Sequence, residues 1–111
     1  MLNGELTEDA ARHWSGKLLS DCHDARGQLD EEKLIREAYT EAFGRPPQAS
    51  EIQAAEKFVD SQTVSIAGQT TPLDDKELPL PLPKKLDRAK AAAVVDFCHA
   101  LICSNEFLYV D

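Results

Sequence analysis

The chain has 111 residues, the size of one domain that can bury a hydrophobic core without disulfide or metal support. Apolar residues make up 42% and charged residues 29%, an ordinary globular composition that excludes wholesale disorder. Twenty acidic side chains against 12 basic ones give a formal net charge of −8, which repels nucleic acids and anionic lipid surfaces. We therefore expect no nucleic-acid partner. We also expect no direct membrane insertion, because no apolar stretch approaches the ~20 residues of a membrane helix.

The first half of the chain predicts two amphipathic helices. Thr7 precedes a run of acids and alanines and can cap a helix over residues 8–19, in which apolar residues recur at four-residue spacing. Residues 20–28 are polar and form a connection. Asp30 can cap the second helix, which ends before Gly44 because the two prolines that follow cannot continue it.

The second half predicts two more helices, separated by a loop. Ser50 and Gln53 have the spacing of a capping box at the start of a third helix, which we expect to fray between residues 62 and 68. Residues 70–85 contain four prolines and predict a semi-rigid surface loop with extended polyproline conformation. The last helix, over residues 87–103, is the most apolar element and should therefore lie at the centre.

Together these elements predict an all-α fold. About four helices form a compact orthogonal or bundle-like array, with the Pro-rich loop before the last helix. The alternation of apolar and polar residues that strands require is absent from every long segment. We expect residues 1–111 to form a single helical domain.

Two Cys-His dipeptides raise the question of a metal or haem site. Covalent haem needs Cys-x-x-Cys-His, and neither dipeptide has the first cysteine of that motif. A zinc site is the other alternative, because three of its weak candidates share one side of the last helix. An adjacent Cys-His pair is an unusual ligand spacing, however, so we predict no metal and no cofactor. The weak candidates are Cys22, His23, Asp96, His99 and Cys103.

Nothing in the sequence points to a catalytic residue. No nucleophile elbow or glycine-rich phosphate loop occurs, and the five glycines are scattered singly. The acidic pairs at residues 31–32 and 74–75 are explained by helix capping and solvation. A small basic cluster formed by Lys84, Lys85, Arg88 and Lys90 is interpreted as a solvated face.

A family resemblance covers nearly the whole chain. The ending Ser-Asn-Glu-Phe-Leu-Tyr-Val, within residues 96–111, resembles the C-terminal end of the planctomycete-specific domain of unknown function found in large cytochrome-c-associated proteins. Three other segments are also similar to that domain. They are the helix followed by glycine, arginine and proline at residues 34–47, its continuation at residues 50–52, and Leu-Asn-Gly at residues 2–4. Cys103 stands where related endings have asparagine.

The resemblance implies that this chain is the C-terminal portion of a larger, exported or periplasmic, multidomain protein whose haem motif lies elsewhere. It supplies no catalytic residues. We therefore expect a non-catalytic helical packing or protein-interaction module, whose partner is an upstream domain or another protein. The alternatives are a fragment of an enzyme or electron-transfer protein with its active site upstream, and a small metal-binding domain. We expect residues 1–6 and 107–110 to lie near a surface that the parent protein covers.

Overall fold

A computed structural model describes residues 4–104 of the chain, with side chains from residue 6 onward. Over this range the backbone forms four α-helices and no β-strand, which confirms the all-α prediction. The helices are α1 (Gly4–Cys22), α2 (Glu31–Phe43), α3 (Ala49–Ala67) and α4 (Arg88–Ser104). The predicted surface contacts of residues 1–3 and 107–110 lie outside the described residues.

Helix α4 lies at the centre of the fold, as its apolar sequence predicts. Ten of its 17 residues are buried, and five of these ten are valine, leucine, isoleucine or phenylalanine. Four others are alanines, at positions 89, 91, 92 and 93. Helices α1 and α3 pack extensively against α4, and α2 completes the core between them. The apolar periodicity of all four helices therefore converges on one hydrophobic core.

The ends of α2 follow directly from local sequence. The Asp30 side chain accepts a hydrogen bond from the Lys33 backbone N–H at 3.1 Å, as an N-cap residue does. Gly44 ends the helix in the left-handed conformation, with φ of 70°, and its N–H donates to the Thr40 carbonyl. Both predicted boundaries of this helix are confirmed.

Both predicted ends of α1 and the predicted start of α3 were wrong. Helix α1 extends from Gly4 to Cys22, beyond both ends of the predicted residues 8–19. Helix α3 begins at Ala49, with Gln48 as its N-cap residue. The capping box is completed by Glu51 and not by Gln53: the Glu51 carboxylate accepts the Gln48 backbone N–H at 2.8 Å.

Helix α3 also continues to Ala67, without the predicted fraying between residues 62 and 68. Two residues of this stretch explain the difference. Ile66 packs against the core, and the Gln62 amide donates to Asp96 of α4. Tertiary contacts here outweigh the weak helix propensity of β-branched residues.

The Pro-rich loop is more firmly attached than the predicted surface loop. After a short 3₁₀ turn (Asp75–Glu77), Leu78 and Pro79 are buried. Arg12 of α1 forms two hydrogen bonds with this segment. Its Nε donates to the Leu78 carbonyl at 2.9 Å, and its backbone carbonyl accepts the Leu80 N–H at 3.0 Å. These bonds hold the loop against α1.

Gly16 is the point where the loop crosses α1. A Cβ atom built on Gly16 would lie 2.1 Å from the carbonyl oxygen of Leu80 and 2.7 Å from the nitrogen of Pro81. Both atoms belong to the backbone, so no side-chain movement can relieve the overlap. The close approach of loop and helix therefore requires glycine at this position.

We predict that Gly16→Ala lowers the free energy of unfolding by about 1–3 kcal/mol, because the loop must move away from α1. In an open helix position the same change stabilises a protein. The matched control is Gly68→Ala, where φ is negative and the added Cβ would meet nothing closer than 3.5 Å. We expect this control to change stability by less than about 0.5 kcal/mol. Urea unfolding of both variants checks the prediction, and equal effects at the two glycines would contradict it.

Candidate functional site

The weak metal candidates fall into two groups. Cys22 and His23 lie at the end of α1, whereas Asp96, His99 and Cys103 follow one another along α4. The structure places each residue in a definite hydrogen-bonding environment.

In the α4 group, His99 and Cys103 come together as their spacing predicts. His99 Nε2 lies 3.7 Å from Cys103 Sγ and 3.1 Å from the hydroxyl of Thr7, a buried residue of α1. Cys103 itself is exposed. The imidazole therefore joins α4 to α1.

Asp96 takes part in a different contact. Its Oδ2 accepts a hydrogen bond from the Gln62 amide of α3 at 3.0 Å. Burial raises the pKa of Asp96, an effect that the Gln62 hydrogen bond and the nearby His99 partly offset. Asp96 therefore joins α4 to α3.

Cys22 is a protonated, buried thiol. Its Sγ donates a hydrogen bond to Glu37 Oε2 of α2 at 2.7 Å. Burial, and then the Glu37 carboxylate, raise the pKa of Cys22 to about 12. Because the thiolate is the form that binds metals and attacks electrophiles, this cysteine is poorly suited to either role near neutral pH.

His23 stabilises the end of α1. Its Nδ1 hydrogen-bonds to the Leu19 carbonyl, and because a carbonyl can only accept, Nδ1 carries a proton. An isolated antiparallel bridge joins His23 to Leu29 across the connection to α2.

An open depression of about 360 Å³ lies at this connection. Two of the acidic residues that line it shape the backbone: Asp24 Oδ1 accepts the N–H groups of Arg26 and Gln28, and Asp30 caps α2. Its lining consists of Asp21, Cys22, His23, Asp24, Gln28, Leu29, Asp30 and Lys33.

Within residues 4–104, no group of three or more His, Cys, Asp or Glu side chains is arranged to hold a metal ion. No helix of this part of the chain is both long and apolar enough to cross a bilayer.

Sequence reasoning missed an ionic contact between three helices. Lys90 was interpreted as part of a solvated basic face, but its Nζ lies 2.8 Å from Glu31 Oε2 of α2 and 3.1 Å from Asp60 Oδ1 of α3. Burial alone would lower the pKa of Lys90, but the two carboxylates outweigh it and raise the pKa. The partners are 59 and 30 residues away, so no local pattern reveals them.

Comparison of the chain with protein-family models, with curated proteins and with solved structures finds no match.

The three cysteines should differ sharply in reactivity. Cys103 is exposed, whereas Cys22 and Cys98 are buried and burial raises the pKa of both thiols. At pH 8 we expect a maleimide to label one thiol per folded chain, and Cys103→Ser to abolish this labelling. Mass spectrometry of the digested protein checks the site, with the urea-unfolded chain as the control in which all three thiols react. Labelling of Cys22 at the rate of Cys103 in the folded protein would contradict the assignment.

We also predict that the chain does not bind zinc with structural affinity. A closed site needs four ligands, and here Cys22 bonds to Glu37 while Asp96 bonds to Gln62. A chelator should therefore leave the midpoint of thermal unfolding unchanged, as followed by circular dichroism. Stoichiometric zinc in the purified protein, lost together with the fold on chelation, would overturn the prediction.

Proposed function

We propose that the chain is a non-catalytic helical packing and protein-interaction module of a larger multidomain protein. The observation that carries the proposal is that its potentially reactive side chains form hydrogen bonds between helices. Cys22 bonds α1 to α2, His99 bonds α4 to α1, and Asp96 bonds α4 to α3. Groups that could act as nucleophile, base or acid thus connect helices. Their hydrogen-bonding capacity supports the packing of the core.

The surface of α3 also supports the proposal. Residues 61–73 carry no charged side chain, in a chain of which 29% is charged. Val64 lies in this stretch with 74% of its surface exposed, and Phe58, one to two turns earlier, is 37% exposed. We call the exposed residues Phe58, Ser61, Val64 and Ser65 the neutral face. The exposed Lys57 and Asp60 border this surface, each one helical turn from one of its residues. A partly apolar surface whose own residues are uncharged suits contact with another protein, because covering it desolvates little charge.

The resemblance at residues 96–111 and 34–47 extends the proposal to the identity of the whole protein. We propose that the chain forms the C-terminal portion of a planctomycete-specific domain in an exported, cytochrome-c-associated protein. The partner of the neutral face is then an upstream region of the same polypeptide.

The coding sequence upstream of Met1 tests the first part of this proposal. We expect an open reading frame that continues through the Met1 codon and encodes a further domain. An in-frame stop codon immediately upstream would contradict the larger protein.

Binding between the upstream region and residues 1–111 tests the second part. We expect Ser61→Asp with Val64→Asp to weaken this binding roughly tenfold or more, because two charges must be desolvated at the contact. The matched control, Ala10→Asp with Ala100→Asp, adds the same charge at exposed positions of α1 and α4. Isothermal titration calorimetry measures both, after circular dichroism has shown that the variants fold. Equal weakening by the two pairs would contradict a role for the neutral face.

A further inference from the structure

Four basic residues from two distant parts of the sequence meet at one corner of the fold. Arg26 lies in the connection between α1 and α2, whereas Lys84, Lys85 and Arg88 lie just before α4 and at its first residue. We call these four residues the basic corner. In the sequence, only Lys84, Lys85 and Arg88 are recognisable as a cluster, together with Lys90. In the structure Lys90 is instead paired with Glu31 and Asp60.

Lys85 holds the two parts of the basic corner together. Its Nζ donates to the Ala25 carbonyl at 3.1 Å. Gly27, with φ of 82°, packs so closely on Lys85 that an added Cβ would lie 2.5 Å from the Lys85 Cβ. The turn that carries Arg26 is therefore fixed against the segment that carries Lys84 and Arg88.

The basic corner has more positive charge than its surroundings neutralise. All four side chains are exposed, and none forms an ion pair with a carboxylate of residues 4–104. The two acids beside them in the sequence, Asp24 and Asp87, bond to backbone and keep their charges, so the corner with these neighbours has a formal net charge of 4 − 2 = +2. Asp24 Oδ1 accepts two N–H groups of its own turn, and Asp87 Oδ2 accepts the Lys90 N–H at 3.0 Å. The positive end of the α4 dipole adds to the local field.

We propose that the basic corner docks a short acidic segment of a partner protein. This inference rests on the proposed function, an interaction module, and gives the chemistry of a second contact surface apart from the neutral face. Four cations at one corner of a chain whose net charge is −8 favour a partner with several carboxylates in a few residues.

The negative net charge of the chain favours a short polyanion over an extended one as the ligand of the basic corner. Electrostatic interactions decay over about 8–10 Å at physiological salt, so a short peptide on the corner interacts mainly with its four cations. A nucleic-acid duplex or an anionic bilayer extends much farther and meets the acidic remainder of the surface. The charge distribution therefore favours an acidic protein segment over either of these.

The probe is a fluorescent peptide of about five glutamates, short enough to lie within the corner, with binding to residues 1–111 measured by fluorescence anisotropy at physiological salt. We expect Arg26→Gln with Lys84→Gln and Arg88→Gln to weaken binding roughly tenfold, the combined effect of three exposed charge contacts. Lys85 is kept because it holds the turn. The matched control, Lys17→Gln with Lys57→Gln and Lys76→Gln, removes the same charge from exposed sites elsewhere and should weaken binding less than about twofold.

Two outcomes would overturn the inference. Equal weakening by the corner variant and its control would show that only net charge matters. Binding of duplex DNA or of phosphatidylserine vesicles as tight as that of the peptide, and equally dependent on the corner, would assign a different partner class.

The neutral-face variant separates this inference from the proposed function. Ser61→Asp with Val64→Asp adds two negative charges outside the basic corner but leaves its four cations in place, and should weaken peptide binding less than the corner variant does. If the corner variant binds the peptide like the unmodified chain while the neutral-face variant still loses the upstream region, this inference alone fails. If the peptide binds at the corner and the upstream region does not bind at all, the proposed function alone fails.

Discussion

The burial of α4 by the other three helices is the constraint on which the rest of the structure depends. A helix can be surrounded in this way only if its side chains leave room for close neighbours, since the distance between packed helices follows the size of the residues in contact. Four buried alanines in the first half of α4 provide that room. The larger residues that follow, among them Phe97, Leu101 and Ile102, fill the rest of the core around α4. The same principle of close approach operates at Gly16, where the absence of a side chain lets the Pro-rich loop lie on α1.

A central helix buried on most sides must find partners for its few polar groups, because an unpaired buried polar group is costly. Three half-buried side chains of α4 each bond to a neighbouring helix. Lys90 bonds to α2 and α3, Asp96 to α3, and His99 to α1. These contacts fix how the surrounding helices sit against α4, which apolar packing alone specifies less sharply. This explains why histidine, aspartate and cysteine residues that suggest chemistry in the sequence act as structural links in the fold.

The two surfaces proposed for interaction differ in physical character. The neutral face on α3 lacks charge and exposes Val64, so contact there gains from covering apolar surface at little desolvation cost. The basic corner concentrates cations on an acidic protein, so contact there would be fast, oriented and sensitive to salt. A module with both surfaces can be oriented by charge at one side and held by apolar contact at another. This division suits a domain that packs within a larger assembly.

The sequence by itself determined the features that depend on neighbouring residues. Helical periodicity placed all four helices and their apolar faces, Asp30 and Gly44 set the ends of α2, and the apolar content of α4 placed it at the centre. The i,i+4 spacing also brought His99 and Cys103 together. Only the tertiary structure decided which polar groups pair across helices, where the Pro-rich loop lies and how Arg26 joins the basic corner. These contacts link residues that are tens of positions apart, and the residue types involved are equally compatible with solvent, so no local pattern distinguishes the two outcomes. The extension of α3 to Ala67 belongs to this second group, because packing against the core overrides the weak local preference of its last turns.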